Sequence, residues 1–371
     1  MRARTVAEDP AEDRGALPAV SALDVVELQS TRHFPSVSVL MTTTPSARMS
    51  VTDHTRLQDL CDQAVLRLRK LSDRDPAPVI ERLVSTIESL AGERTDQAVA
   101  VYAGTGSARA LRLGVPVADR VVLDNTFATR DLVLALQRTP RHVVLVLNSR
   151  EARLFDSVNG SLLPAATNAF PMRSQRPRRS VATRPSLEQA DAADFYRVVD
   201  RRLGSYRAVH PSPLVLAGPS AALAAFTAGA KNVGRLAGTL VGNHLDAQLG
   251  ELAALTRPVI QRYLASREQE ALELLDVRTA QRRVASGMQA AWLSSRTERP
   301  EMLAVEQGLF YPARISADGH TVALDPEVDD PDVIDDAVDE LIEHVLIRGG
   351  WVAFVGDGAL ARHGGVALTR R

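Results

Sequence analysis

Five consecutive aliphatic residues, Val143-Val144-Leu145-Val146-Leu147, restrict what can surround them more than any other stretch of this chain. The run is short for a helix and suits a strand buried on both faces, so other layers must cover it on each side. Asn148 to Gly160 reads as a strand, turn, strand meander, which passes into a long loop, 164–190, and then an amphipathic helix around Phe195. Between Asp156 and Glu188 there is no carboxylate, while Arg173, Arg176, Arg178, Arg179 and Arg184 crowd the second half. A basic, proline-broken loop mounted on a rigid sheet is suited to meeting a polyanion.

The remaining composition narrows the classes open to the chain. Its 371 residues leave room for two or three domains, and 45% hydrophobic with 24% charged residues is the balance of a globular protein. No apolar run approaches the roughly 18 residues that span a bilayer, and the first 30 residues carry no signal pattern, so a cytoplasmic protein without a membrane partner is expected. Cys61 is the only cysteine, which excludes an internal disulfide or a thiolate metal cluster. Its neighbours Leu57, Leu60 and Leu68 repeat at helical spacing and assign it to core packing. The net charge of -1 conceals polarisation, since Ile315 to Ile347 holds eleven Asp or Glu and no Lys or Arg. Only Lys70 and Lys231 are lysines. Nearly all positive charge is therefore guanidinium, which pairs bidentately with phosphate. Arginine richness is equally compatible with genome composition.

Taken in order, residues 1–30 read as a flexible arm. A strand at Ser36–Met41 precedes a helical hairpin, Thr52–Leu71 and Pro78–Leu90, with a charged tip at Ser72-Asp73-Arg74-Asp75-Pro76. Strands come next at 98–104, 109–113 and 121–123, then a helix at 129–136. Beyond the basic loop, Pro213–Gly218 is a buried strand, Ala221–Ala230 a helix, and Gly238–Gly242 a further strand of the same sheet. Strands alternating with helices give an α/β fold. From Ala247 to Ser294 the pattern is helical, with Arg257-Pro258 as its main interruption. The final part is expected to hold a strand after Phe310, an acidic loop, a helix at Val333–Ile347 ended by Gly349-Gly350, and strands at 351–355 and 366–368.

Several local patterns invite a chemical reading. Gly104-Thr105-Gly106 precedes an alternating segment with Pro116 and not a helix, so it fits a turn better than a phosphate-binding loop. Gly218-Pro219-Ser220-Ala221-Ala222 sits between strand and helix like a degenerate nucleophile elbow, yet Ser220 serves more simply as a helix N-cap. Asp156, Asp191, Asp194 and Asp200 lie near the basic loop, but the last three share one helical segment, a poor arrangement for two-metal chemistry. The run Asp329-Asp330-Pro331-Asp332 with Asp335-Asp336 lacks calcium-loop spacing and suits a solvated loop leading into a helix N-terminus. No cofactor or metal set is suggested.

In its order of parts the chain resembles the archaeo-eukaryotic peptide-chain release factors, and among them their bacterial relatives, specifically the third described family. Val37-Ser38-Val39-Leu40, Val101-Tyr102-Ala103-Gly104 and Leu123-Asp124-Asn125-Thr126-Phe127 carry the likeness to the first domain. Val143–Leu147, Arg153-Leu154-Phe155, Tyr196-Arg197-Val198-Val199 and Leu214–Ser220 carry that to a ribonuclease-H-like second domain. Ile342–Ile347, Gly349–Val355 and Gly364–Leu368 carry that to a third domain shared with the rescue factor Pelota. The resemblance implies three α/β domains, at 31–139, 140–256 and 257–371 behind the arm at 1–30, and implies a ribosomal RNA partner with a translational GTPase as a further candidate. It also exposes departures. The family's Gly-Gly-Gln is absent from the loop, which reads Phe170-Pro171-Met172-Arg173-Ser174-Gln175-Arg176-Pro177-Arg178-Arg179, and the hairpin tip lacks Asn-Ile-Lys-Ser. Binding through Arg173, Arg176, Arg178, Arg179 and Arg184 is therefore expected in place of hydrolysis, in hibernation, rescue or stress. A hydrolase or nuclease on the middle domain and a protein-binding scaffold acting through the acidic segment are the alternatives.

Overall fold

A computed structural model describes residues 17–70, 75–174, 185–210, 212–327 and 333–371. They form two compact units, one holding Thr139–Ala265 and one holding Gly15–Arg138 together with Ser266–Arg371.

The expectation of a loose arm over residues 1–30 is corrected from Leu17 onward. Helix α1 (Ala22–Ser30) starts on a capping box, in which the Ser21 hydroxyl accepts from the Asp24 N–H while Asp24 accepts from the Ser21 N–H. Leu17, Val20, Val25 and Leu28 are buried, and that apolar spacing is what fastens the segment. Strand β1 (Ser36–Thr42) is central in an antiparallel sheet of order β3-β2-β1-β4, with β2 at Ala98–Ala103, β3 at Ala108–Leu113 and β4 at Arg120–Asp124. Helices α2 (Val51–Arg69) and α3 (Ala77–Ser89) cover the face carrying Val37, Val39, Met41, Val99 and Val101. Cys61 lies in that core as its leucine neighbours required, and burial pushes its thiol up to about 11. The opposite face, with Leu40, Ala100 and Tyr102, packs near α4 (Arg130–Arg138).

The middle unit is built on β5 (His142–Leu147), which contains the aliphatic run. With β6 (Glu151–Val158) and β7 (Ser161–Pro164) it forms an antiparallel meander, and a short β8 (Met172–Arg173) adds to β6. Helix α5 (Pro185–Val209) then leads to β9 (Leu214–Gly218), and α6 (Ser220–Gly229) to β10 (Leu236–Val241), both strands parallel to β5. The order β10-β9-β5-β6-β7 has the meander on one side and two parallel strands on the other, which is the ribonuclease-H-like arrangement expected here. Val143, Leu145 and Leu147 pack in the cluster that contains α5 and α6 residues, whereas Val144 and Val146 face the other side.

Helix α7 (Leu249–Ala280) continues through Pro258, so the expected interruption at Arg257-Pro258 is corrected. Leu252 and Thr256 before the proline, with Val259 and Ile260 after it, are all buried, and this packing outweighs a cost of roughly 3 kcal/mol for an interior proline. The helical pattern expected up to Ser294 is broken by β11 (Val284–Ser286), too short to show a period, before α8 (Met288–Thr297). Strand β12 (Pro300–Glu306) precedes Phe310, where a strand was expected only after it, and β13 (Ala313–Ile315), β14 (Val322–Leu324) and β15 (Val333–Ile334) make a small sheet. Helix α9 (Ala337–Ile347), β16 (Trp351–Val355) and β17 (Val366–Arg370) complete the chain, with main sheet order β11-β17-β12-β16.

The two ends of the chain share one core: Leu40, Tyr102, Phe127 and Leu132 cluster with Trp292, Leu303, Leu341, Ile342 and Phe354. An ionic seam runs beside it. The Arg130 guanidinium meets Asp336 at 2.9 Å with both side chains almost fully buried, and Arg67 meets Asp335 at 3.3 Å. Arg32 pairs with Glu343, and the Arg130 N–H donates to Asp339. Burial raises Asp335, Asp339, Glu340 and Glu343 above the ordinary carboxylate range. The reading of Asp335 and Asp336 as part of a solvated acidic stretch is thus corrected: Arg67 and Arg130, some 200 residues or more earlier in the chain, neutralise them. Asp329, Asp330 and Asp332 lie outside the described residues. The open edge of β16 is closed by side chains. Gln137 donates to the Val352 carbonyl and accepts from the Phe354 N–H, and Glu268 accepts from the Gly356 N–H at 2.7 Å. Among the described residues no helix is long and apolar enough to cross a membrane.

Candidate nucleic-acid interface

The basic loop rises from the sheet of the middle unit at a foot made of three strands. Asn148 starts it: its side-chain oxygen accepts from the N–H groups of Arg150 and Glu151, both at 2.8 Å, turning the chain sharply out of β5 into β6. Beyond β7, the Ala165 N–H donates to the Leu154 carbonyl and Phe170 inserts into the core beneath α5. Strand β8 then pairs Met172 with Ala152 and Arg173 with Glu151, and the Ser174 N–H reaches the Arg150 carbonyl at 2.7 Å. The loop therefore leaves from a fixed point.

Three cations stand at that foot. Glu151 accepts from Arg153 Nε at 2.8 Å and lies 3.5 Å from Arg173 Nε. Arg173 remains 76% exposed, and Arg150 is exposed as well. A carboxylate already engaged by Arg153, and 3.5 Å from a guanidinium that is itself mostly in water, holds Arg173 weakly. Arg173 is thus available to a phosphate. Arg176, Arg178, Arg179 and Arg184, the other loop residues expected to bind, lie outside the described residues. On α5, which succeeds the loop, Arg197, Arg201 and Arg202 are exposed, and Arg197 pairs with Asp194. Arg150, Arg153, Arg201 and Arg202 were missed from sequence because each sits among acidic or apolar neighbours that hide which face it occupies.

At its far end α5 is locked by Arg207, which donates to the carbonyls of Asn232, Ser212 and Gly234. Burial, then repulsion from Arg235, lowers its affinity for its proton. Asp200 accepts from the N–H groups of Lys231 and Asn232 and from the Asn232 amide, so it tethers the segment after α6. Asp156 accepts from the Tyr206 hydroxyl, fastening α5 to β6. These carboxylates hold the scaffold. Among the described residues no group of three or more His, Cys, Asp or Glu is placed to hold a metal ion.

At the other strand–helix junction, Gly218 admits no side chain: a Cβ there would come 2.2 Å from the Leu147 carbonyl oxygen. The elbow itself differs from expectation. Pro219 occupies the cap position and Ser220 is the first helical residue, exposed, so Ser220 is not the N-cap. Gly104-Thr105-Gly106 lies at the turn between β2 and β3, with the Gly104 N–H donating to the Ser107 carbonyl, as its context suggested.

Residues 141–299 match the family described as bacterial archaeo-eukaryotic release factor family 3, which bears out the resemblance drawn from the sequence. Solved structures similar to the chain include Pelota of Archaeoglobus fulgidus (13% identity, 99% of this chain and 98% of that one, TM-score 0.35). A model of ribosome-bound archaeal Pelota and ABCE1 is similar at 14% identity, over 96% of this chain and 95% of that one, with TM-score 0.44. Dom34 of S. cerevisiae, described as a translation termination-like factor interacting with Hbs1, is similar at 10% identity, over 96% and 94%, with TM-score 0.41. No curated protein matches the chain.

Proposed function

We propose that this bacterial relative of the archaeo-eukaryotic release factors is a cytoplasmic, ribosome-associated protein that binds ribosomal RNA and does not hydrolyse peptidyl-tRNA. The observation that carries this reading is the loop of the middle unit. It is free of carboxylates between Asp156 and Glu188, carries five arginines from Arg173 to Arg184, and contains no Gly-Gly-Gln. Where a catalytic loop needs two glycines for close backbone approach, this one offers guanidiniums that neutralise phosphate. Its foot supports the reading, since β8 and the Asn148 turn fix the departure point of Arg173. The family match over residues 141–299 supports a translational setting. Occupation of ribosomes during hibernation, rescue or stress, with a translational GTPase as a further partner, fits a factor that binds without cutting.

Sedimentation tests it. The purified protein is expected to pellet with ribosomes at low salt and to be released as salt rises, since phosphate contacts displace counterions. Reversing Arg176, Arg178 and Arg179 to Glu is expected to leave the protein folded and in the supernatant. A wild-type protein that stays in the supernatant at low salt overturns the reading, and so does peptidyl-tRNA hydrolysis lost on Ser220→Ala.

A further inference from the structure

At one end of the C-terminal main sheet, segments far apart in sequence converge. The Arg370 N–H donates to the Arg283 carbonyl at 3.0 Å, and the Arg371 N–H to the Arg299 carbonyl at 3.2 Å. Two guanidiniums tie turns to the same place: Arg370 Nη2 donates to the Arg282 carbonyl, and Arg371 Nη2 to the Gly349 carbonyl, both at 2.8 Å. Arg348 reaches the Arg296 carbonyl. Residues 278–283, 296–301, 348 and 370–371 together contain eight arginines and two glutamates, a surplus of six positive charges. Both glutamates are committed, Glu301 to Arg278 at 2.6 Å and Glu298 to Arg370 at 2.8 Å. Arg282, Arg283, Arg299, Arg348 and Arg371 are exposed. Beside them Trp351, at the start of β16, is 39% exposed, whereas the chain's other tryptophan, Trp292, is fully buried.

We propose that this end of the C-terminal sheet is a second RNA-binding surface, holding single-stranded RNA by its phosphates on these five arginines, with an unpaired base stacked on Trp351. Two of the five guanidiniums, those of Arg348 and Arg371, are set by neighbouring carbonyls and so meet phosphate with less entropy to lose than free side chains. An exposed indole among them is a stacking platform for any base. An acidic protein fits less well, because the large exposed apolar groups on or beside these segments are single residues, Val277, Leu293, Ile347 and Trp351, contributed by three helices and a strand, and not the apolar centre of a protein interface. Choosing RNA as the polyanion rests on the function proposed above; the charge surplus itself does not.

The test uses the full chain and an oligouridylate of about 12 nucleotides, monitored by tryptophan fluorescence and by filter binding across a salt series. Binding is expected to quench Trp351, and Trp351→Phe is expected to abolish the quench while leaving the salt dependence intact. R282E/R283E/R299E removes side chains that are exposed, and is expected to weaken binding roughly ten-fold or more and to lower the salt slope by about 0.7 per lost phosphate contact. R282Q/R283Q/R299Q is expected to act in the same direction by less. Loop reversal at Arg176, Arg178 and Arg179 should leave the quench in place. A folded R282E/R283E/R299E protein that binds and quenches like wild type overturns the proposal, as does equal affinity for polyglutamate. If the loop variant alone loses RNA, this surface is refuted while the proposed function stands; if ribosomes fail to bind but the quench persists, the reverse holds.

Discussion

Arg173 and Arg130 carry the same group into two different solvents. Arg173, at the foot of the loop in the middle unit, is 76% exposed and lies 3.5 Å from Glu151, which it shares with Arg153. Arg130, in the other unit, has 4% of its side chain exposed, faces Asp336 at 2.9 Å and donates its backbone N–H to Asp339. Water screens the first pair, so that it contributes about 0–1 kcal/mol and leaves the guanidinium free to exchange partners. In the second, desolvation has already been incurred by both ions, and each is stable only while the other is present. A basic or acidic stretch in a sequence therefore has no fixed meaning. Solvent exposure decides whether it recruits a partner or holds the fold.

The sharpest way to break this contrast is Arg130→Ala, expected to destabilise its unit by about 3–5 kcal/mol because Asp336 is left buried without its cation. Urea unfolding checks it, and a loss below about 1 kcal/mol would mean the seam is no stronger than a surface pair. Gly218→Ala is next. Its Cβ would press on the Leu147 carbonyl and cost about 1–3 kcal/mol, read as faster hydrogen exchange of β5 and β9 amides. Unchanged exchange would show that the two strands can part locally.

Asp124 probes the seam by pH. Burial, with Glu340 and Asp335 adding to it, pushes its carboxyl up to about 7. The folded value exceeds the unfolded one near 3.9, so the native state binds the extra proton and stability falls as pH rises from about 4 to 7. Asp124→Asn should flatten that limb by about 2 kcal/mol or less, allowing for partial exposure. Identical urea midpoints for wild type at pH 4.5 and 7.5, each within error of the variant's, would show that Asp124 does not titrate with the fold. Arg173→Ala should move stability least, within about 0.5 kcal/mol, while weakening ribosome binding. A large drop in melting temperature would place Arg173 with Arg130 after all.

How much was legible depended on how local the cause was. The aliphatic run at 143–147, the hairpin helices and the strand at 214–218 announce themselves, because period and capping act over a few residues. Strand β11, three residues long, had no period to show. Leu17 to Leu28 looked loose, although Ser21 and Asp24 had the spacing of a capping box. Pro258 reads as an interruption of the helical pattern because its cost is local, whereas the buried residues on either side that offset it are tertiary. At the candidate site the loop's charge was plain, but Arg150 and Arg153 became part of it only through the Asn148 turn and the pairing of β8 with β6.

The sequence alone settled that the middle of the chain is a strand-centred α/β layer bearing a carboxylate-free, arginine-rich loop without Gly-Gly-Gln, since burial patterning and missing side chains are properties of a stretch. Tertiary structure decided the rest of the charge. It drew Asp335 and Asp336 out of an acidic run into pairs with Arg67 and Arg130, and it gathered Arg283, Arg299 and Arg371 at one end of a sheet. The physical reason is that a charge acts through distance and dielectric, and both are set by what the fold places beside it.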